Sequence, residues 1–260
     1  MDYLALGLVL LVGTLATGSP LHWRDLNNIK EMDMAPTSFD DQYQGCSHMM
    51  EKELAELNRT EFTNRIYAEA WTIATAEWRN RHGHIHQTLA LRPDLAVALL
   101  AYTLQGSLYR EFNEAVRTAG SSREYYLDNF HFKVLHFLLT EALRALRDAR
   151  PRHCYNVYRG VQGIYFTAQQ HQSVRFGQFT SASMQKKSAE SFGQDTFFSV
   201  ETCYGFPIKD FSLYPVEEEV LIPPFESFKV TTVTHDRNRS FIALRSQDAK
   251  SNYNCEFVKG

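Results

Sequence analysis

Tyr214-Pro215-Val216-Glu217-Glu218-Glu219-Val220-Leu221-Ile222-Pro223-Pro224 runs three adjacent acids straight into a short apolar segment closed by two prolines. A brief apolar run between turn signals reads as a buried strand. In a strand, residues two apart share a face and stand about 6 to 7 Å apart. Glu217 and Glu219 are therefore expected to point one way and Glu218 the other. Two like charges that close, at the rim of a buried strand, cost energy through repulsion and desolvation unless a cation offsets them. The pattern asks for a cationic ligand or a chain arginine nearby. The plainer alternative is a solvated acidic turn.

Around this segment the second half of the chain reads as strands. Val157-Tyr158, Val174 to Phe179, Thr196 to Val200, Glu218 to Ile222, Phe228 to Val233, Phe241 to Leu244 and Glu256 to Val258 are short β-rich runs separated by Gly, Pro and Asn. The first half reads as helices. Cys46 to Arg79 carries Phe62, Ile66, Ala70 and Ala74 at i, i+4 spacing. Leu108 to Val116 follows, and then Phe132 to Arg147, where Leu135, Leu138, Leu139, Ala142 and Leu146 make one apolar face. Helices first and strands later predict an α+β fold, a helical N-terminal part on a β-rich core, rather than a doubly wound sheet.

At the N-terminus, Leu4 to Leu15 is apolar and Ala16-Thr17-Gly18 offers small residues for cleavage. The run is short of the roughly 20 residues a membrane span needs, so residues 1–18 read as a signal peptide, although Asp2 stands where a basic residue is usual. Residues 19–260 are then expected to form one domain. The composition is that of a globular protein, 44% hydrophobic and 22% charged, and a net charge of -3 gives no electrostatic reason for nucleic acid as a partner.

Four cysteines, Cys46, Cys154, Cys203 and Cys255, contain no CxxC pair. Behind a signal peptide, an even count favours two disulfides over a zinc site. Of the connectivities open to four cysteines, the nested one is attractive, with Cys46–Cys255 tying the ends and Cys154–Cys203 bracing the middle. Asn58-Arg59-Thr60 and Asn238-Arg239-Ser240 are acceptor sequons for glycosylation. Arg81-His82-Gly83-His84-Ile85-His86 alternates histidines, but the glycine and arginine beside them favour a solvated loop over a metal site.

Two more segments bear on the acids. In Tyr155-Asn156-Val157-Tyr158-Arg159-Gly160 a strand ends on an arginine, whose planar fork suits phosphate oxygens, followed by a glycine that lets a ligand approach the backbone. In Phe176-Gly177-Gln178-Phe179-Thr180-Ser181-Ala182-Ser183 a strand ends in hydroxyls. There Ser181 is placed either to orient a carboxylate or to cap a helix over Gln185 to Ser191. In this order the three segments resemble the arginine-serine-glutamate signature of the arginine-specific mono-ADP-ribosyltransferases, animal ecto-enzymes distantly related to bacterial toxins. The resemblance covers essentially the whole chain after the signal peptide. It takes in Phe39-Asp40-Asp41, Phe112-Asn113-Glu114-Ala115-Val116-Arg117, the helix from Phe130 to Leu146 and the four cysteines.

The resemblance implies a cleft for NAD, with NADP possible. It assigns Arg159 to the NAD phosphates, the Gly160 backbone to the nicotinamide amide, Ser181 to the nicotinamide ribose and the catalytic glutamate, and Glu219 to catalysis. Glu217 matches the acid that selects arginine as acceptor, and Gly205 to Val216 matches a target-recognition loop. The central residue of Ser181-Ala182-Ser183 departs from the Thr or Ser frequent in relatives. The implied reaction moves ADP-ribose from NAD to guanidinium groups of proteins or small guanidino compounds, without a metal. NAD hydrolysis at the same site, or a silent secreted binding module on the same fold, are the alternatives. The chemistry agrees, because an ionised Glu219 would stabilise a developing sugar cation, with Arg159 helping to keep it charged. Many relatives carry a hydrophobic tail exchanged for a lipid anchor. With no such tail before Lys259-Gly260, a secreted product is expected.

Overall fold

The computed structural model describes residues 28–81, 91–104, 106–236 and 239–259. The proposed signal peptide, the His82 to His86 alternation and Asn238 lie outside them.

The helical half contains six helices among the described residues: α1 (Ser47–Glu61), α2 (Arg65–Arg81), α3 (Pro93–Thr103), α4 (Leu108–Ala119), α5 (Arg123–Asn129) and α6 (Lys133–Asp148). The expected single helix from Cys46 to Arg79 is therefore two. Asn64 explains the break, since its Oδ1 accepts from the N–H groups of Ile66 at 3.0 Å and Tyr67 at 3.2 Å and starts a new helix. The buried stripe of α2 is Tyr67, Ala70, Ala74 and Trp78, shifted from the expected one. Helix α3 was not foreseen because every residue from Leu95 to Tyr102 is buried. A helix with no polar face shows no 3.6 period. Helix α6 lacks a side-chain cap of its own. Instead the buried Glu61, at the end of α1, accepts from the Lys133 and Val134 N–H groups at 2.6 and 3.0 Å.

The strands are β1 (Ile29–Glu31), β2 (Tyr155–Val161), β3 (Tyr165–Thr167), β4 (Ser173–Arg175), β5 (Thr180–Ser183), β6 (Thr196–Thr202), β7 (Phe206–Pro207), β8 (Glu219–Ile222), β9 (Glu226–Asp236) and β10 (Arg239–Ala249), with a short helix α7 (Lys186–Ser191) after β5. Eight of them form one sheet in the order β4-β9-β10-β6-β2-β5-β8-β7, and β1 pairs with β3 apart from it. The architecture is α+β, as expected. Val174 to Phe179 is not one strand: the chain turns at Gly177, φ +67°, between β4 and β5. Glu256 to Val258 is not a strand either. It forms a turn in which Asp41 accepts from the N–H groups of Cys255 and Glu256 at 2.9 and 2.8 Å.

Two disulfides, Cys46–Cys255 and Cys154–Cys203, match the nested pattern. The first joins the start of α1 to the chain's last described turn, and the second bridges the ends of β2 and β6. Asp40 reinforces the first tie: it pairs with Arg175 in the interior and accepts from the N–H groups of Asn252 and Tyr253.

Candidate active site

Strands β2 and β5 are paired at Tyr158 and Ser183 alone. Beyond that point they part, and a cavity of about 570 Å³ opens against α3 and α4, a size typical of small-molecule sites. Across the gap, Arg159 Nη1 donates to the main-chain oxygen of Ser181 at 2.6 Å. Side-chain reach replaces the missing backbone pairing. The cavity is lined by Arg159, Gly160, Ser181, Glu217 and Glu219 together, so the five expected site residues converge.

The two carboxylates converge for a different reason from the one expected. Strand β8 begins only at Glu219, Glu217 ends a 3-10 turn (Pro215–Glu217), and Glu218 between them is left-handed at φ 45°. This reversal, rather than strand alternation, turns residues 217 and 219 to the same side. The turn is pinned by Ser183, whose hydroxyl donates to the Glu217 carbonyl at 2.6 Å and accepts from Gln185 N–H at 2.9 Å. The capping role entertained for Ser181 is not filled: Gln185 stands at the N-cap of the helix without a side-chain cap, and Ser183 holds only its N–H. Ser212 Oγ lies 3.4 Å from Glu219 Oε2, and Arg81 from α2 donates to the Ser212 carbonyl at 2.9 Å. The loop before the acids is thereby tied to the helical half.

Burial raises the Glu219 carboxyl above the usual carboxylate range, and Glu217 adds to the effect. Ser181, Ser212 and Arg159 oppose it without cancelling it. Arg159 acts in the expected direction, but less than either serine. Burial also raises the Glu217 carboxyl. Arg159 has its proton affinity lowered by burial, with Arg117 contributing as a second positive charge. Two guanidinium groups, one from α4 and one from β2, therefore line the same cavity, an arrangement that favours an anion there.

Gly160 has a structural reason beyond ligand access. A Cβ there would stand 2.2 Å from the Ala189 carbonyl oxygen and 2.3 Å from that of Gly193, so its absence lets α7 pack against β2. The sequence does not single out Tyr102 or Tyr109, which also line the cavity; Gln178 and Tyr214 line it from within quoted segments without a role of their own, and Ser212 was covered only by the target-recognition loop. Asn113 and Arg117 line it too and fell inside a quoted motif, but without a role. Asn58 is half-buried in α1, with its Oδ1 3.4 Å from the Tyr67 hydroxyl. Among the described residues, no three His, Cys, Asp or Glu side chains are grouped to hold a metal, and no helix is long and apolar enough to cross a membrane.

The chain is 60% identical to the erythroblast NAD(P)(+)–arginine ADP-ribosyltransferase of Gallus gallus, over 98% of its own length and 85% of the relative's. It is 44% identical to the GPI-linked NAD(P)(+)–arginine ADP-ribosyltransferase 1 of Homo sapiens, over 100% of the chain and 84% of that protein. Among solved structures, the eucaryotic mono-ADP-ribosyltransferase ART2.2 superposes with a TM-score of 0.75 at 38% identity, over 86% of this chain and 98% of that one. Variants of ART2.2 have been solved in complex with NADH and with NAD. The family model described as NAD:arginine ADP-ribosyltransferase matches residues 32–252, and with that extent of match the chain belongs to the NAD:arginine ADP-ribosyltransferase family.

Proposed function

We propose that this chain transfers ADP-ribose from NAD to the guanidinium of arginine, on proteins or small guanidino compounds, with release of nicotinamide. NADP is an expected alternative donor, in keeping with the names of the relatives. The observation that carries the reading is the meeting of Arg159, Ser181, Glu217 and Glu219 in one cavity between the opened sheet and α3–α4.

Cleavage of the bond between nicotinamide and ribose C1′ leaves positive charge on the sugar. Glu219, ionised and accepting the ribose 2′-hydroxyl, stabilises that charge in a site where water does not screen it. Arg159 and Arg117 supply positive charge for the pyrophosphate. The acceptor guanidinium is protonated in water and must lose a proton to attack C1′. Glu217, with its carboxyl raised by burial, binds the acceptor as an ion pair and takes that proton. The new bond is C1′ to guanidino nitrogen, and the bonding pair of the broken bond leaves with nicotinamide.

Residues 19–260 serve in this reading as one catalytic domain. The two disulfides and the GPI-linked relatives support an extracellular setting. The test is incubation with labelled NAD and agmatine, comparing wild type with Glu219→Ala. Labelled agmatine from the wild type and at most about a hundredth of that rate from the variant is expected. Equal labelling by both, or none by either, overturns the reading.

A further inference from the structure

The Ser181 hydroxyl lowers the proton affinity of both the Glu219 carboxyl and the Tyr102 phenol, and all three side chains line the same cavity, yet a serine has one proton to donate. Which acceptor receives it is decided behind Tyr102. The phenol's own proton goes to the Phe179 carbonyl at 3.0 Å, and Asn113 Nδ2 donates into the phenol oxygen at 3.0 Å. Both side chains are buried. An oxygen already receiving an amide N–H is a weaker target for a second donor, whereas an ionised carboxylate accepts charge-assisted bonds.

We propose that Asn113, acting through Tyr102, directs the Ser181 proton onto Glu219. Both are positioning residues for the reaction proposed above, on which this inference rests. Packing alone does not call for them. Tyr102 lies edge-on to the rings of Phe112 and Phe179, a place a phenylalanine would fill equally. The Asn113 amide has its Oδ1 without a partner among the described residues, so the bond its side chain makes within the wall is the one to Tyr102. The groups facing Glu219 are then Glu217 from its own segment, Arg159 from β2, Ser181 from β5, Ser212 from the preceding loop and Tyr102 from α3.

The test compares wild type, Asn113→Ala, Tyr102→Phe and the double variant, reading kcat for agmatine against pH at saturating NAD. Activity requires ionised Glu219, so kcat falls as pH drops through its titration. Asn113→Ala frees the phenol oxygen to compete for the serine proton. Its acid limb should move to higher pH by about half a unit or more, with about a threefold loss of kcat on that limb. Adding Tyr102→Phe removes the competing acceptor and should return the limb to the wild-type position. A merely structural pair would behave otherwise, with the second substitution adding damage. An undisplaced limb in Asn113→Ala, or a displaced one in the double variant, overturns the proposal. Asn113→Leu, which refills the side-chain volume, should show the same displacement and substitutes where the alanine variant does not fold. Carbon-13 NMR titration of the Glu219 carboxyl in the same proteins reads its proton affinity without turnover. If the wild type transfers nothing to agmatine, the functional reading fails while this comparison still decides the inference.

Discussion

Arg159 and Ser181 are joined by a 2.6 Å hydrogen bond from guanidinium to main-chain carbonyl, across the point where β2 and β5 cease to pair. The bond consumes one arm of the arginine fork to hold the cleft open at a fixed width, and leaves the rest of the guanidinium to the cavity. A lysine gathers its three donors on one nitrogen and cannot hold the carbonyl while presenting a planar fork to the cavity. Arg159→Lys should therefore lower kcat/KM for NAD by about a hundredfold, a loss typical of one preorganised donor. The melting temperature should move little, because the strand itself is unchanged. Steady-state kinetics beside thermal denaturation checks both halves.

Chemistry-bearing residues were more legible in the sequence than the geometry that joins them. Arg159, Ser181, Glu217 and Glu219 were legible through the resemblance that their three segments make in order, each segment being weak alone, and all four reach the cavity. Their spacing misled: alternation placed 217 and 219 on one face of a strand, whereas a left-handed Glu218 does it. No local signal marks that conformation, since Glu rarely adopts it. Helix α3 was invisible because burial on every side erases periodicity, and Tyr102 was lost with it. Ser212 was lost because its value depends on contacts with Glu219 and Arg81, distant in sequence or direction.

Glu217 separates acceptor use from NAD cleavage. Its carboxyl is half-exposed at the mouth while Glu219 is buried behind it, so Gln at 217 keeps shape and removes the base and the ion pair. Glu217→Gln should cut transfer to agmatine by about a hundredfold or more, within the range for a general base, while slow NAD hydrolysis persists. Chromatographic measurement of ADP-ribosyl-agmatine against free ADP-ribose distinguishes the two. Equal loss of both products contradicts the assignment.

Glu218 is a conformational position. Left-handed backbone is costly for a β-branched residue and mild for Asn. Glu218→Val should reduce kcat strongly through misplacement of both neighbours, and destabilise by about 1 to 2 kcal/mol. Glu218→Asn, despite removing the charge, should stay within about threefold of wild type, since only the backbone conformation is retained. If the two variants behave alike, the side-chain charge rather than the backbone governs this position.

Stability against pH should show two buried groups working in opposite senses. His136 is fully buried, accepting from Tyr43 at Nδ1 and donating from Nε2 to the Phe39 carbonyl. Burial depresses its titration from 6.5 to about 3. Between those values the unfolded chain binds a proton that the folded one does not, so stability falls as pH falls. Glu61 is the reverse: burial raises it from 4.5 to about 7. In that window the folded chain holds the extra proton, and stability falls as pH rises. From pH 4.5 to 6.5 the two slopes oppose each other. Glu61→Gln should therefore steepen the acid loss of stability in that window by up to about 1.4 kcal/mol per pH unit. His136→Gln should flatten or invert it, whatever each substitution costs at neutral pH. Urea denaturation at half-unit pH steps, reading each variant as a difference from wild type, cancels the contribution of every other group. Parallel curves for Glu61→Gln and wild type across pH 4.5 to 6.5 would mean that the carboxyl capping α6 is ionised in the folded chain throughout.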